Sequence, residues 1–171
     1  GLVGDVTELH DGEFPPHDLL TAGFPCQSFA RRGKRGGLGD ARGNLFFEIC
    51  RALGAAQPRC FLLENVWAVL FSGRGGRFDE DDPHNRGKWV PGADFRRMRA
   101  ALEREGYVVR WNVLCASAFG VPQTRARAYI VGWRGDVAAE AQARFAWPAP
   151  TTTPPPPQPP PPPPPGAKSD E

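Results

Sequence analysis

Positions 154–165 hold eleven prolines and one other residue, Gln158. Proline fixes its own φ, has no N–H to donate, and turns the preceding residue away from the helical region. A run of this kind neither joins a sheet nor continues a helix, and it reads as solvated polyproline II. Pro148 and Pro150 lead into it, so residues 149–171 are expected to form a disordered proline-rich tail. That tail is either a plain spacer or a ligand for a proline-recognition domain. The fold therefore has to be built from residues 1–148, enough for one domain with a real core.

Within that body, apolar runs alternate with helical spacing. Asp18–Phe24 reads as a short strand running into Pro25-Cys26-Gln27, and residues 31–43 are a basic, glycine-rich loop. Asn44 is expected to cap a helix with Leu45, Phe46, Ile49, Cys50 and Leu53 on one face, ending before Pro58. Cys60–Val66 is a nearly continuous apolar run, as in a strand buried on both faces. Residues 72–92 lack periodicity and read as an insertion loop. Asp94–Glu105 predicts an amphipathic helix closed by Gly106, followed by strands at Tyr107–Leu114 and Ala128–Trp133. This order predicts an α/β fold with a parallel or mostly parallel sheet.

Other classes recede. No apolar run is long enough for a membrane-spanning helix, so no membrane partner is expected. The chain opens on Gly1 with no charged-then-apolar leader, and it reads as cut from something longer. Cysteines at 26, 50, 60 and 115 form no C-x-x-C, and His10, His17 and His84 add no zinc pattern, so no metal is expected. Unpaired cysteines in such a chain imply reduced thiols and an intracellular setting, with the compartment open. Cys50, Cys60 and Cys115 sit in apolar or helical surroundings and read as core. Net charge is only +2, but Arg31, Arg32, Lys34, Arg35 and Arg42 face a single acid, Asp40, between positions 31 and 42. That loop is either plainly solvated or built to meet phosphate.

Cys26 stands apart from the other thiols. It follows a strand, at the sheet edge where open α/β folds bind ligands, and nearby arginines would favour its thiolate. Glu64 ends the next apolar strand, where a half-buried carboxyl group can hold or donate a proton. Arg125 and Arg127 precede a later strand at i and i+2, so they point the same way and can grip a planar polar group. A thiol, a proton donor and a cation suit the activation of a pyrimidine. Thiolate addition to carbon 6 makes carbon 5 nucleophilic, while a proton at nitrogen 3 and a cation at oxygen 2 take up the charge.

These segments resemble the cytosine-5 DNA methyltransferases. The resemblance rests on G-D-V-T at 4–7, D-L-L-T-A-G-F-P-C-Q-S-F-A at 18–30 and G-L-G-D-A-R-G-N-L-F-F-E-I at 37–49. It continues with L-L-E-N-V at 62–66 and F-G-V-P-Q-T-R-A-R-A-Y-I-V-G at 119–132. It implies a Rossmann-like, S-adenosylmethionine-dependent methyltransferase sheet acting on DNA, with the target cytosine flipped out of the duplex. Cys26, Glu64, Arg127 and Arg125 match its catalytic positions. Asp5, Val6, Gly23 and Leu45 match its cofactor pocket. Phe24, Pro25, Gln27 and Asn65 match positions beside the substrate, and Arg31, Arg32, Lys34 and Arg35 would lie in a loop closing over the flipped base.

The family's first strands, with a glycine-rich turn and a ribose-binding acid, have no counterpart here, nor has its target-recognition region. Residues 1–148 thus read as a partial catalytic domain, inactive alone, from a truncated gene model, a split enzyme that needs a complementing chain, or a degenerate copy. The rival readings are a tRNA cytosine-5 methyltransferase of the same fold and a non-catalytic or regulatory fragment.

Overall fold

The computed structural model describes residues 4–25, 45–79 and 88–151. Strand β1 (Leu19–Gly23) is followed by helix α1 (Leu45–Ala56) and strand β2 (Cys60–Val66). Short strands β3 (Arg77–Asp79) and β4 (Lys88–Val90) precede helix α2 (Ala93–Arg104). Strands β5 (Tyr107–Cys115) and β6 (Ala126–Arg134) lead to helix α3 (Gly135–Arg144). Single 3-10 turns occupy Val6–Glu8, Asp11–Glu13, Trp67–Phe71 and Ala116–Phe119.

The main sheet has the order β1-β2-β6-β5. Only β1 and β2 are neighbours in parallel; β6 runs against both β2 and β5. Since β5 therefore points the same way as β1 and β2, three of the four strands share a direction, as expected of a mostly parallel sheet, and β6 alone is reversed. The reason is the length of the connection: residues 116–125 hold only a 3-10 turn, too little for a crossover, so β6 has to fold straight back. It slots between β2 and β5, which α2 links by a longer path.

Alternation along β2 sets the two faces. Phe61, Leu63 and Asn65 point inward, with Ala128 and Ile130 of β6 and Tyr107 and Val109 of β5. Phe46, Cys50 and Leu53 of α1 and Phe95, Met98 and Leu102 of α2 close this core. On the other face α3 covers Val131 and Trp133 through Ala138. Phe145 and Trp147 complete the layer, with Phe145 edge-on to both tryptophans at ring distances of 4.9 Å. Gly132 lies under the ring of the fully buried Phe61, where any Cβ would collide with it.

Both expected helices form within a residue or two of their predicted limits. Gly106, at φ +91°, ends α2 in the left-handed region that glycine enters freely. Gln57 turns α1 toward Pro58 at φ +46°, and its side-chain amide donates to the Leu53 carbonyl at 3.1 Å. Asn44, the expected cap of α1, lies outside the described residues, as do 152–171 of the tail. Three features differ from the sequence reading. The stretch 72–92 carries the antiparallel pair β3 and β4. Helix α3 was not foreseen: it is alanine-rich and buries only Ala138, so it has little apolar stripe to detect. Residues 149–151 also run on the body, where the Thr151 N–H donates to the Ala118 carbonyl at 2.8 Å.

Of the thiols read as core, Cys50 is buried, whereas Cys60 and Cys115 are only half-buried. Burial pushes the Cys50 thiol from 9.0 up to about 12. It likewise pushes the Tyr107 phenol, which donates to the Pro58 carbonyl at 2.8 Å, from 10.0 up to about 12. Both groups are neutral when protonated, and the unfolded chain loses these protons first. Their stabilisation is complete below about pH 9 and is lost as pH rises toward 12. Urea unfolding at pH 8 and at pH 11 should therefore show a marked fall in stability, with a shallower slope in a Cys50→Ala variant. An unchanged slope would show that Cys50 does not carry this dependence.

Candidate active site

Three strands deliver their functional residues to one edge. Because β1 and β2 are parallel, their carboxyl ends lie together, with Gly23 opposite Glu64. Because β6 is antiparallel, its first residues arrive at that same edge, with Arg127 opposite Val66 and Tyr129 opposite Glu64. Positions 23, 64 and 127 are brought together by topology alone.

Glu64 points away from the core, on the face opposite Leu63 and Asn65. Its Oε1 forms a salt bridge with Arg127, 2.8 Å from Nε. The carboxylate is 44% exposed and the guanidinium 17%, so the cation is the better fixed partner. A second donor of Arg127 is held by the Ala126 carbonyl at 2.8 Å, which fixes the plane of the fork. Arg125 is exposed at the rim, as its i, i+2 relation to Arg127 requires. Together Glu64, Arg125 and Arg127 line a cleft of about 260 Å³, with Cys115, Tyr129 and Pro148 as further walls.

Those three further walls escaped the sequence reading. Tyr129 was within reach of it, since residues 125, 127 and 129 of an extended segment share a face. Cys115 was read as core, but it opens onto the cleft, with its sulfur 3.2 Å from Ser117 Oγ. Pro148 was assigned to the boundary of the tail.

Asn65 behaves differently from its sequence neighbour. Read from sequence as a substrate contact, it is turned inward and only 2% exposed. Its Nδ2 donates to the Phe24 carbonyl at 3.1 Å, and its Oδ1 accepts from the Val66 N–H at 2.8 Å. The Phe24 ring is also buried, edge-on to Phe46 of α1 at 5.5 Å. The chain leaving β1 is thus pinned at Phe24 by ring and carbonyl, and Pro25 restricts the next φ. Cys26 comes immediately after this fixed point. Cys26, Gln27, Arg31, Arg32, Lys34 and Arg35 themselves lie outside the described residues.

The expected cofactor residues fall in three places. Asp5 caps the turn Val6–Glu8, with its Oδ1 accepting from the Thr7 N–H at 2.9 Å and the Thr7 hydroxyl at 2.8 Å. Those two hydrogen bonds, the backbone one first, hold its carboxyl below the usual range, so it is an anionic acceptor at the surface. Val6 beside it is exposed. Leu45 opens α1, against which this turn packs. Gly23 is exposed at the end of β1, and a Cβ there would meet only ordinary contacts with Glu64, the nearest at 3.6 Å. Nothing in the described protein demands glycine at this position.

Comparison with known proteins bears on what this edge does. The family C-5 cytosine-specific DNA methylase matches residues 2–159. The chain is 42% identical over 129 residues to the type II methyltransferase M.NlaIV of Neisseria lactamica, covering 75% of this chain and 28% of that one. It is 35% identical over 147 residues to the type II methyltransferase M.SsoII of Shigella sonnei, covering 86% and 34%. Among solved structures, a DNA modification methyltransferase encoded within an E. coli prophage shares the fold, with a TM-score of 0.53 at 22% identity over 78% of this chain and 33% of that one. The chain thus spans about a third of the length of the relatives it matches.

The Asn65 geometry can be checked without any ligand. Asn65→Asp keeps the acceptor for Val66 but sets a carboxylate oxygen against the Phe24 carbonyl. It should lower stability in urea by about 2 kcal/mol or more at neutral pH, the scale of an unsatisfied buried polar group. A loss below about 0.5 kcal/mol, within the range of ordinary surface changes, would show that the Phe24 carbonyl is not held by this amide.

Proposed function

The chain belongs to the C-5 cytosine-specific DNA methylase family, and we propose that its cleft activates a cytosine of DNA for methyl transfer to carbon 5. The observation that carries this reading is the Glu64–Arg127 pair at the edge where β1 leads into Cys26. A pyrimidine offers nitrogen 3 and oxygen 2 side by side. A carboxyl group and a guanidinium in contact with each other are spaced to meet both at once.

In the proposed reaction the Cys26 thiolate adds to carbon 6 of the ring. Glu64 holds a proton at nitrogen 3, and Arg127 holds charge at oxygen 2, so the electron pair collects at carbon 5. When bound, S-adenosylmethionine supplies an electrophilic methyl group. Carbon 5 takes up that methyl and then loses its own proton to a base, and the Cys26 sulfur departs with its electron pair, restoring the ring. Arg125 at the rim is placed to meet a phosphate. Cys26 cannot reach a stacked base, so the cytosine has to be flipped out, with Arg31, Arg32, Lys34 and Arg35 in the loop that closes over it.

The residues present fit the adenine end of S-adenosylmethionine. Asp5 offers an ionised acceptor for an exocyclic amine, Val6 an apolar edge, Leu45 a second wall, and Gly23 a strand end with no side chain. The family's DNA substrate favours this reading over the tRNA alternative. Because the chain spans about a third of its relatives' length, we assign turnover to a complemented form in which the remaining segments are also present, on the same chain or on a second one. The proline tail is either a plain spacer or a ligand for a proline-recognition domain.

The reaction is tested in that complemented form on DNA carrying 5-fluorocytosine. The fluorine cannot leave as a cation, so a covalent protein–DNA adduct should accumulate with the native chain and be absent with Cys26→Ala. Glu64→Gln and Arg127→Ala should each slow methylation of ordinary DNA by about two to four powers of ten. Normal turnover without any trapped adduct would refute the thiolate mechanism. Losses of about tenfold or less from both substitutions would remove Glu64 and Arg127 from these roles.

A further inference from the structure

The segment from Asp5 to Phe14 is held to the body in an unusual way. Its two 3-10 turns bury no residue, and its backbone hydrogen bonds are local. Among the described residues, the hydrogen bonds joining it to the rest of the fold come from one side chain, Arg51 of α1. That guanidinium donates four hydrogen bonds and is ion-paired besides. Nε donates to Glu48 Oε2 at 2.8 Å, and one Nη donates to the Leu9 carbonyl and to Asp11 Oδ1, each at 2.8 Å. The other Nη donates to the Val6 carbonyl at 2.8 Å and meets Glu48 Oε2 at 2.7 Å. Its face lies over the Phe14 ring, 5.3 Å from the centroid. Arg51 is six positions after Leu45 on the same helix, a rise of about 9 Å.

We propose that Arg51 is a positioning residue for the purine end of the cofactor site: it fastens the turn bearing Asp5 and Val6 to the helix that begins with Leu45. The proposal rests on the reading of Asp5, Val6 and Leu45 as the adenine pocket. Its physical content is separate from that reading. The turn buries no side chain, so apolar burial does little to fix its position, and the guanidinium fork is the directional tie between the two pocket walls. Glu48, from the preceding turn of α1, fixes the fork in its turn. A lysine keeps the charge but has no planar fork, and it cannot serve the Val6 and Leu9 carbonyls and both carboxylates together.

The experiment uses residues 1–171, isotopically labelled, titrated with adenosine to millimolar levels while amide shifts are followed. Hydrogen exchange is measured on the same samples. In the native chain, adenosine should shift the amides of Asp5, Val6 and Thr7. In Arg51→Ala, and equally in Arg51→Lys, the affinity should fall by about fivefold or more, as expected when a preorganised wall is released. Exchange at Glu8, Leu9 and Glu13 should quicken by about tenfold, while the amides of β2 and β6 keep their protection. Asp11→Ala removes one exposed acceptor of the fork and should give a smaller change of the same kind, in a variant that leaves the core intact. Native-like adenosine affinity in Arg51→Ala, or unchanged exchange in its first turns, would overturn the positioning role and leave the adenine pocket standing. Adenosine shifts in the native chain that leave out Asp5–Thr7, or no shifts at all, would overturn the pocket reading and the proposal with it. Rescue by Arg51→Lys would show that charge alone suffices and overturn the role of the fork.

Discussion

A strand that runs against its neighbour begins at the edge where that neighbour ends. In this protein that single antiparallel placement, β6 beside β2, puts Arg127 against Glu64, and the parallel pairing of β1 with β2 adds Gly23 and the approach to Cys26. Had β6 been parallel to β2, Arg127 would stand at the opposite end of the sheet. The short connection after β5 is therefore a condition of the chemistry as well as of the topology. A longer link with a helix would have allowed a parallel crossover and separated the two groups.

The Glu64–Arg127 pair adds little to folding. With the carboxylate nearly half exposed, an ion pair of this kind contributes about 0–1 kcal/mol. The core beneath it does the work of stability: Phe61, Leu63 and Ile130 are almost fully buried against α1 and α2. Facing residues of β2 thus divide their tasks by alternation. Leu63 and Asn65 go inward, one to pack and one to hold the Phe24 carbonyl, while Glu64 between them goes out to the cleft. A one-residue slip of β2 would bury the carboxylate and expose Leu63, so the core enforces the register that the site needs.

The strong apolar runs were legible because their burial is continuous: β2 spans the residues that its composition predicts. So were Glu64 and Arg127, whose strand positions and i, i+2 geometry follow from period alone. What escaped had weaker or non-local causes. Strand direction depends on the length of a connection, which apolar patterning does not report. Helix α3 buries one alanine and leaves almost no stripe. The inward turn of Asn65 follows from alternation along β2, but its tie to the Phe24 carbonyl joins positions 41 apart, which no local pattern reports. The fork of Arg51 joins residues some forty positions apart, so no local pattern announces it. The docking of Thr151 beside a proline run was hidden by composition, since the backbone hydrogen bond to Ala118 is independent of the side chains around it.

Three segments that the proposed function draws on share one physical character. The turn of Asp5 is held by a guanidinium, the exit of β1 by an amide and one ring, and the Pro148 wall by a bond from Thr151 to a carbonyl. Each is a directional polar tie between a segment with little apolar burial and the rigid sheet. Such ties define position sharply but contribute modestly to stability, so these segments open at lower free energy than β2 or β6. In the proposed reaction a flipped base enters between walls that afterwards hold it closely. Walls fixed by a few hydrogen bonds can part and re-form without loosening Phe61, Leu63 or Ile130, which keeps the edge carrying Glu64 and Arg127 intact while the cleft opens.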